Sequence, residues 1–155
     1  MPYNDPSEPF NATTTPANGY DALPKSAGGT GEGTGSTIAR SPNVNGFGPP
    51  GTTPAWEQPG SDVILGHEMV HAPHNANGTD GDGPVNSDGV SVGEERNTTG
   101  LPAQTYTNPG DPLNGTALPD TQAGSPYNEN ALREDYRDGG LNSPATGKPP
   151  ETRPS

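Results

Sequence analysis

The sequence predicts a small, loop-rich α+β domain built on short elements. Three observations lead there. Only 25% of the 155 residues are hydrophobic, while 23 are glycine and 21 proline, so a core can only be thin. One stretch, Ser36 to Arg40 (STIAR), has strand character. Three further stretches carry the start and stop signals of helices.

Residues 1–32 are mostly Pro, Gly, Asn, Thr and Ala without periodicity, and the low-complexity run GGTGEGTGS follows across the boundary. They read as a loop-rich N-terminal extension. In STIAR, Thr37 and Ile38 are β-branched, and Pro42 closes the strand. A proline-rich loop, NGFGPPGTTPAWEQPG, leads to SDVILGHEMVHA, the longest apolar-rich segment. Ser61 or Asp62 is the expected N-cap, and Pro73, lacking an amide hydrogen, is expected to end this helix near Ala72. In SVGEERNTTG, Ser91 and Glu94 have capping-box spacing and Gly100 is the stop, which makes a helix of about two turns. A Pro/Gly-rich loop then runs to Gly124. The segment SPYNENALREDYRDGG offers Ser125 as N-cap, Pro126 at the first helical position and Gly139 as stop, with Leu132 and Tyr136 on one face. These signals place a folded domain at 33–141, followed by an extended tail at 142–155.

Composition narrows the functional classes. A formal charge of −12, with seven basic residues scattered along the chain, argues against nucleic-acid or anionic-membrane partners. Without cysteine there are no disulfides and no thiolate metal sites. No apolar run reaches membrane-spanning length, and the start shows no cleavable signal peptide, so no membrane insertion is expected.

His67 and His71 are four apart, so on a helix both imidazoles leave one face and can share a zinc ion, with Glu68 beside the metal's water. From this chain's own His and Glu content, an H-E-x-x-H match arises by accident on the order of three times in a thousand. The competing account is a polar helix face with two solvated histidines. A catalytic zinc also needs a third protein ligand and an open position. His74 lies beyond the expected helix end, and Asp80 and Asp82 fit an Asp-Gly turn better. Glu94 and Glu95 remain. If Glu94 caps Ser91, Glu95 is the one left free; otherwise both are solvated helix-start carboxylates.

HEMVHAPHNANG followed by EERNTTG resembles the clostridial neurotoxin light chains and the type III effector metallopeptidases of enteric bacteria, a zincin-like fold. Their zinc site joins an HExxH helix, a short His-containing turn and an EExxTxG helix. The likeness extends to LREDYR, with the family's Arg-x-x-Tyr spacing, and to GTGSTIARSP, and covers roughly residues 33 to 140. It implies one Zn2+ per chain held by His67, His71 and Glu95, with Glu68 as general base and Arg133 and Tyr136 over the metal as oxyanion partners. Otherwise Arg133 pairs with a nearby carboxylate and Tyr136 packs with Leu132. Glu94 and Thr98 are expected to support the ligands. One departure is Pro73, where the family usually has Gly or Leu.

The function so implied is a zinc-dependent endopeptidase acting on a protein or peptide substrate, as an effector or toxin delivered into a target cell. Zinc lowers the pKa of its water toward ~7, and Glu68 takes the proton as that water attacks the carbonyl. The alternatives are a zinc-stabilised interaction domain without catalysis and a largely disordered secreted protein.

Overall fold

In the computed structural model, strand β1 (Ala12–Pro16) lies antiparallel to β2 (Ser36–Arg40), with Thr14 opposite Ile38. The structure describes residues 12–40, 59–81, 92–101, 104–118 and 127–139. Between the two strands come a single helical turn α1 (Gly19–Ala22) and a 3-10 turn at Lys25–Ala27. The long helix α2 (Ser61–Asn77) follows, then α3 (Val92–Thr99), the two-residue strands β3 (Gln104–Thr105) and β4 (Ala117–Leu118), and α4 (Glu129–Asp138). The α+β class expected from sequence is the observed one.

Helix α2 is the axis of the molecule: β1, β2, α1, α3 and α4 all pack against it. The apolar core along it is thin, as the composition requires. Ala22, Val63, Ile64 and Leu101 are its buried members among the described residues. Polar side chains are buried alongside them, including His67, Asn75, Glu94, Thr98, Glu129 and Arg133. Each such group costs free energy unless it is hydrogen-bonded, so specific polar pairing, more than apolar area, fixes these helices against one another.

Several local expectations are corrected. The segment read as an N-terminal loop supplies β1, whose alternate residues Ala12, Thr14 and Pro16 turn inward. The run GGTGEGTGS folds over the C-terminal end of α2. The Gly33 amide donates to the Asp21 carbonyl and the Thr34 amide to the Asn75 carbonyl, both at 2.9 Å. Gly33 has φ +80°, and a Cβ there would collide with the Ala76 carbonyl, so only glycine allows this close approach. Asn75, almost fully buried, also donates through Nδ2 to the Ser36 hydroxyl at 2.9 Å, tying α2 to β2.

Helix α2 begins after Gly60, whose φ of +93° makes the entry turn, rather than after a Ser61 or Asp62 cap. It also continues through Pro73 to Asn77 and stops at Gly78, in the left-handed conformation. Pro73 is exposed, on a helix whose preceding turn carries the exposed Met69. Pro73 removes the bond its amide would make to the Met69 carbonyl, typically at ~3 kcal/mol, and the helix nonetheless runs on to a last turn capped at Gly78. For α4, Asn128 is the N-cap, its side chain accepting from the Ala131 amide at 2.7 Å. The stops at Gly100 and Gly139 are as expected. The strands β3 and β4 lie in a stretch read as loop. Pro42, Phe47, Trp56, Asp82, Ser91, Ser125, Pro126 and the tail at 142–155 lie outside the described residues.

Candidate metal centre

Helix α2 sends His67, His71 and His74 from one side, three and four residues apart. The i, i+4 spacing brings the His67 and His71 rings edge to face, with centroids 4.9 Å apart. Their Nε2 atoms are 3.1 Å from each other. Helix α3 sets Glu95 across them, Oε2 at 3.2 Å from His67 Nε2 and Oε1 at 3.3 Å from His71 Nε2. The three sequence-expected ligands thus converge, and their ligand atoms lie within 4.8 Å of one another.

The other ring nitrogens are also fixed. His67 Nδ1 is 2.6 Å from Glu129 Oε2, and His71 Nδ1 is 2.8 Å from Glu94 Oε1. A carboxylate accepts only, so each Nδ1 carries its hydrogen, and a ring that gives up its second proton, as a metal ligand must, turns the lone pair of Nε2 toward the other ring and toward Glu95. Two lone pairs at 3.1 Å with a carboxylate beside them call for a proton or a cation between them. Two neutral imidazoles and one carboxylate are also the donor set of a catalytic zinc, so the residues present fit that ion.

Glu94 is the hub of the inner side. Its Oε1 also accepts from His74 Nδ1 at 2.6 Å and from the Thr98 hydroxyl at 3.1 Å, with Thr98 fully buried. His71, His74 and Glu94 form a second group with metal-ligand proximity. Its short contacts all run to one carboxylate oxygen, which makes it the hydrogen-bonded support of His71. The continuation of α2 past Pro73 is what brings His74 there. Asp80 stands outside the His67–His71–Glu95 group, in a turn whose amide donates to the Ala22 carbonyl at 3.0 Å. Burial, followed by the charge of Glu94, raises its pKa.

On α4 the sequence expectations are met differently. Arg133 is fully buried and paired with Glu129, Nε to Oε1 at 2.7 Å, so its guanidinium stands behind His67 through that carboxylate. Tyr136 hydrogen-bonds Asp62, which together with burial pushes its hydroxyl up to about 12. Leu132 lies against Gly66, where a Cβ would overlap it. Glu129 itself escaped the sequence reading. Its signal is present, an acid one helical turn before Arg133, on the same face. Glu68 Oε2 is 2.8 Å from the Thr14 hydroxyl of β1. Glu95 is 40% exposed against 9% for the His67 side chain, so the group opens to solvent on the Glu95 side.

The electrostatics follow from these contacts. Burial drives the ring pKa values down, but the carboxylates outweigh it: Glu129 and Glu95 hold His67 at about 9, and Glu94 and Glu95 hold His71 at about 10. For the acids the balance is reversed. Burial raises Glu94 and Glu95, yet the histidines bring Glu94 down to about 2 and Glu95 well below the usual carboxylate range. In the metal-free chain the histidines are raised above their ordinary 6.5. Their contribution to stability is therefore complete below that pH and is lost as pH rises through 9 to 10. Glu94 is lowered from 4.5, so its contribution is complete above that value and lost as pH falls toward 2. Melting of the chelator-treated protein across pH should show a maximum between these limits. A melting temperature that climbs from pH 7 to pH 9 would contradict the proton-bridged arrangement.

A family model described as an effector protein, that of the Peptidase M91 family, matches residues 6–139. No curated protein and no solved structure matches the chain. The match takes in β1, α2, α3 and α4, every element that brings a side chain to this group, and M91 is a metallopeptidase family, in keeping with the His and Glu clusters found. The chain belongs to the Peptidase M91 family of effector proteins.

Proposed function

We propose that this effector peptidase is a zinc-dependent endopeptidase that cuts a protein of the cell into which it is delivered. The observation that carries the proposal is the convergence of His67 Nε2, His71 Nε2 and the Glu95 carboxylate at 3.1 to 3.3 Å, with each ring pinned from behind by a second carboxylate. Zinc held there supplies Lewis-acid activation of a water and of the scissile carbonyl.

The chain's own residues do the rest. Glu68, next to His67 in the sequence, takes the water's proton at its carboxylate and returns it to the leaving amine. Glu94 and Thr98 keep His71 in its Nδ1–H tautomer, and Glu129 does the same for His67. Arg133 holds Glu129 and adds positive charge behind the ring. Tyr136 serves as a donor to the developing oxyanion once substrate takes its hydroxyl from Asp62. The net charge of −12 favours a basic segment around the cleaved bond. A boundary at residue 33 would cut β1 from β2, so the catalytic unit in this reading includes β1 from Ala12 onward.

Metal content and thermal unfolding of wild type, Glu95→Ala and Asp80→Ala test the ligand set. One zinc per chain is expected in wild type and in Asp80→Ala, and loss of zinc in Glu95→Ala. Metal lost from the Asp80 variant and kept by the Glu95 variant would overturn the assignment. The thin apolar core also favours a second reading, a zinc-stabilised interaction domain without catalysis. In that reading Glu68 has no function.

A further inference from the structure

Glu68 is held from outside its own helix. Thr14, at the middle of β1, turns inward between the exposed Thr13 and Thr15 and brings its hydroxyl oxygen to 2.8 Å from Glu68 Oε2. The same oxygen is 2.8 Å from the main-chain carbonyl oxygen of Glu68. Among the described residues, Thr14 is the hydrogen-bond partner shown for the Glu68 carboxylate, through Oε2.

A threonine hydroxyl has one hydrogen to donate and lone pairs to accept with. Before proton transfer Glu68 is acceptor-only, so the Thr14 O–H donates to Oε2 and leaves Oε1 available to take a proton. Once the carboxyl carries that proton, Thr14 can keep donating to Oε2 if the proton sits on Oε1. If the proton sits on Oε2, the Thr14 O–H rotates to the carbonyl 2.8 Å away and accepts from Oε2. Either way the contact survives, the count of protons is unchanged, and the side chain need not move between the two states.

We infer that Thr14 is a positioning residue for the general base: it fixes the Glu68 carboxylate through the two acceptors on Glu68 that its hydroxyl reaches. The inference rests on the metallopeptidase reading above. It gives β1 a part in the chemistry and ties the base to a strand 54 residues away in the chain. Thr14 lies within the residues matched by the family model.

A hydroxamic acid tests this without a known substrate. It chelates as its anion, and a well-placed carboxylate that takes up the proton strengthens the complex, so its affinity is expected to report the position of Glu68 independently of turnover. The probe is acetohydroxamic acid titrated calorimetrically into zinc-loaded wild type, Thr14→Ser and Thr14→Val, with zinc content measured alongside. Zinc content should be the same in all three. Thr14→Ser, which keeps the hydroxyl, should bind within about threefold of wild type, and Thr14→Val about tenfold more weakly, the scale of one hydrogen bond to a charged group. In a Glu68→Gln background, which removes the proton acceptor, Thr14→Val should have no further effect.

Equal affinity in wild type and Thr14→Val overturns the inference and leaves the metal reading standing. An equal loss from Thr14→Val with and without Glu68 also overturns it, because it marks a general packing effect. Wild type that binds no zinc overturns the metal reading itself, and this inference with it. Valine is a better strand former than threonine, so β1 keeps its register in the variant.

Discussion

Replacing Glu129 by alanine is expected to destabilise the chain by about 3–5 kcal/mol, the largest effect of any single substitution here. Glu129 is fully buried and faces two cationic groups at once, the fully buried Arg133 and the His67 ring. Removing one partner of a buried ion pair costs far more than the pair contributes, because a charge is left behind without water. For a domain with so few buried apolar side chains, that is a large part of a total stability of ~5–15 kcal/mol. Denaturant unfolding of the metal-free variant measures it.

A paired replacement separates packing from chemistry. Glu129→Leu together with Arg133→Met removes both charges at similar volume, so stability should return toward wild type. Zinc affinity should not return. His67 Nδ1 would still lack its acceptor, and losing such a support commonly weakens a metal site by ~10–100-fold. If the double variant binds zinc as tightly as wild type, Glu129 is a structural counter-ion only and does not orient the ring.

The second large effect is on turnover. Glu68→Gln should lower cleavage of any substrate the wild type cuts by ~10²–10⁴, the contribution of a general acid–base, and leave zinc content and melting temperature close to wild type. Glutamine keeps the shape and can still accept from Thr14, so the loss isolates the proton. An unchanged rate would remove Glu68 from the mechanism. Function kept by a zinc-loaded but proteolytically silent wild type would favour the interaction-domain reading.

The parts of this site that were legible in the sequence are the local ones. His67, Glu68 and His71 sit on consecutive turns of one helix, and a pattern that short determines its own geometry. Glu95 was legible through its motif, and Gly100 and Gly139 through their stop chemistry. What the sequence hid falls into four physical kinds. Strand β1 reads ATTTP, where inward and outward positions are both threonine, so the period of two carries no apolar contrast. The glycine run has no side chains with which to announce that it packs on α2. Pro73 misleads because the turn beyond it is held by non-local and end contacts, the Gly78 cap and the His74–Glu94 contact, neither of which a propensity scale includes. Glu129 belongs to a fourth case, visible as half of an i, i+4 pair whose second partner, His67, lies 62 residues away.

That separation bears on when the centre exists during folding. His67 and Glu68 form with their own helix, early and cheaply, but Thr14 reaches them across 54 residues and Glu129 across 62. Contacts of such sequence separation are the non-local kind that slows folding, and α4 is synthesised after the elements it packs against. A nascent or cut chain that ends before Glu129 therefore holds the HExxH helix without the acceptor for His67. On the proposed mechanism, such a chain is expected to bind zinc more weakly than the full chain, because Glu129 no longer orients the His67 ring.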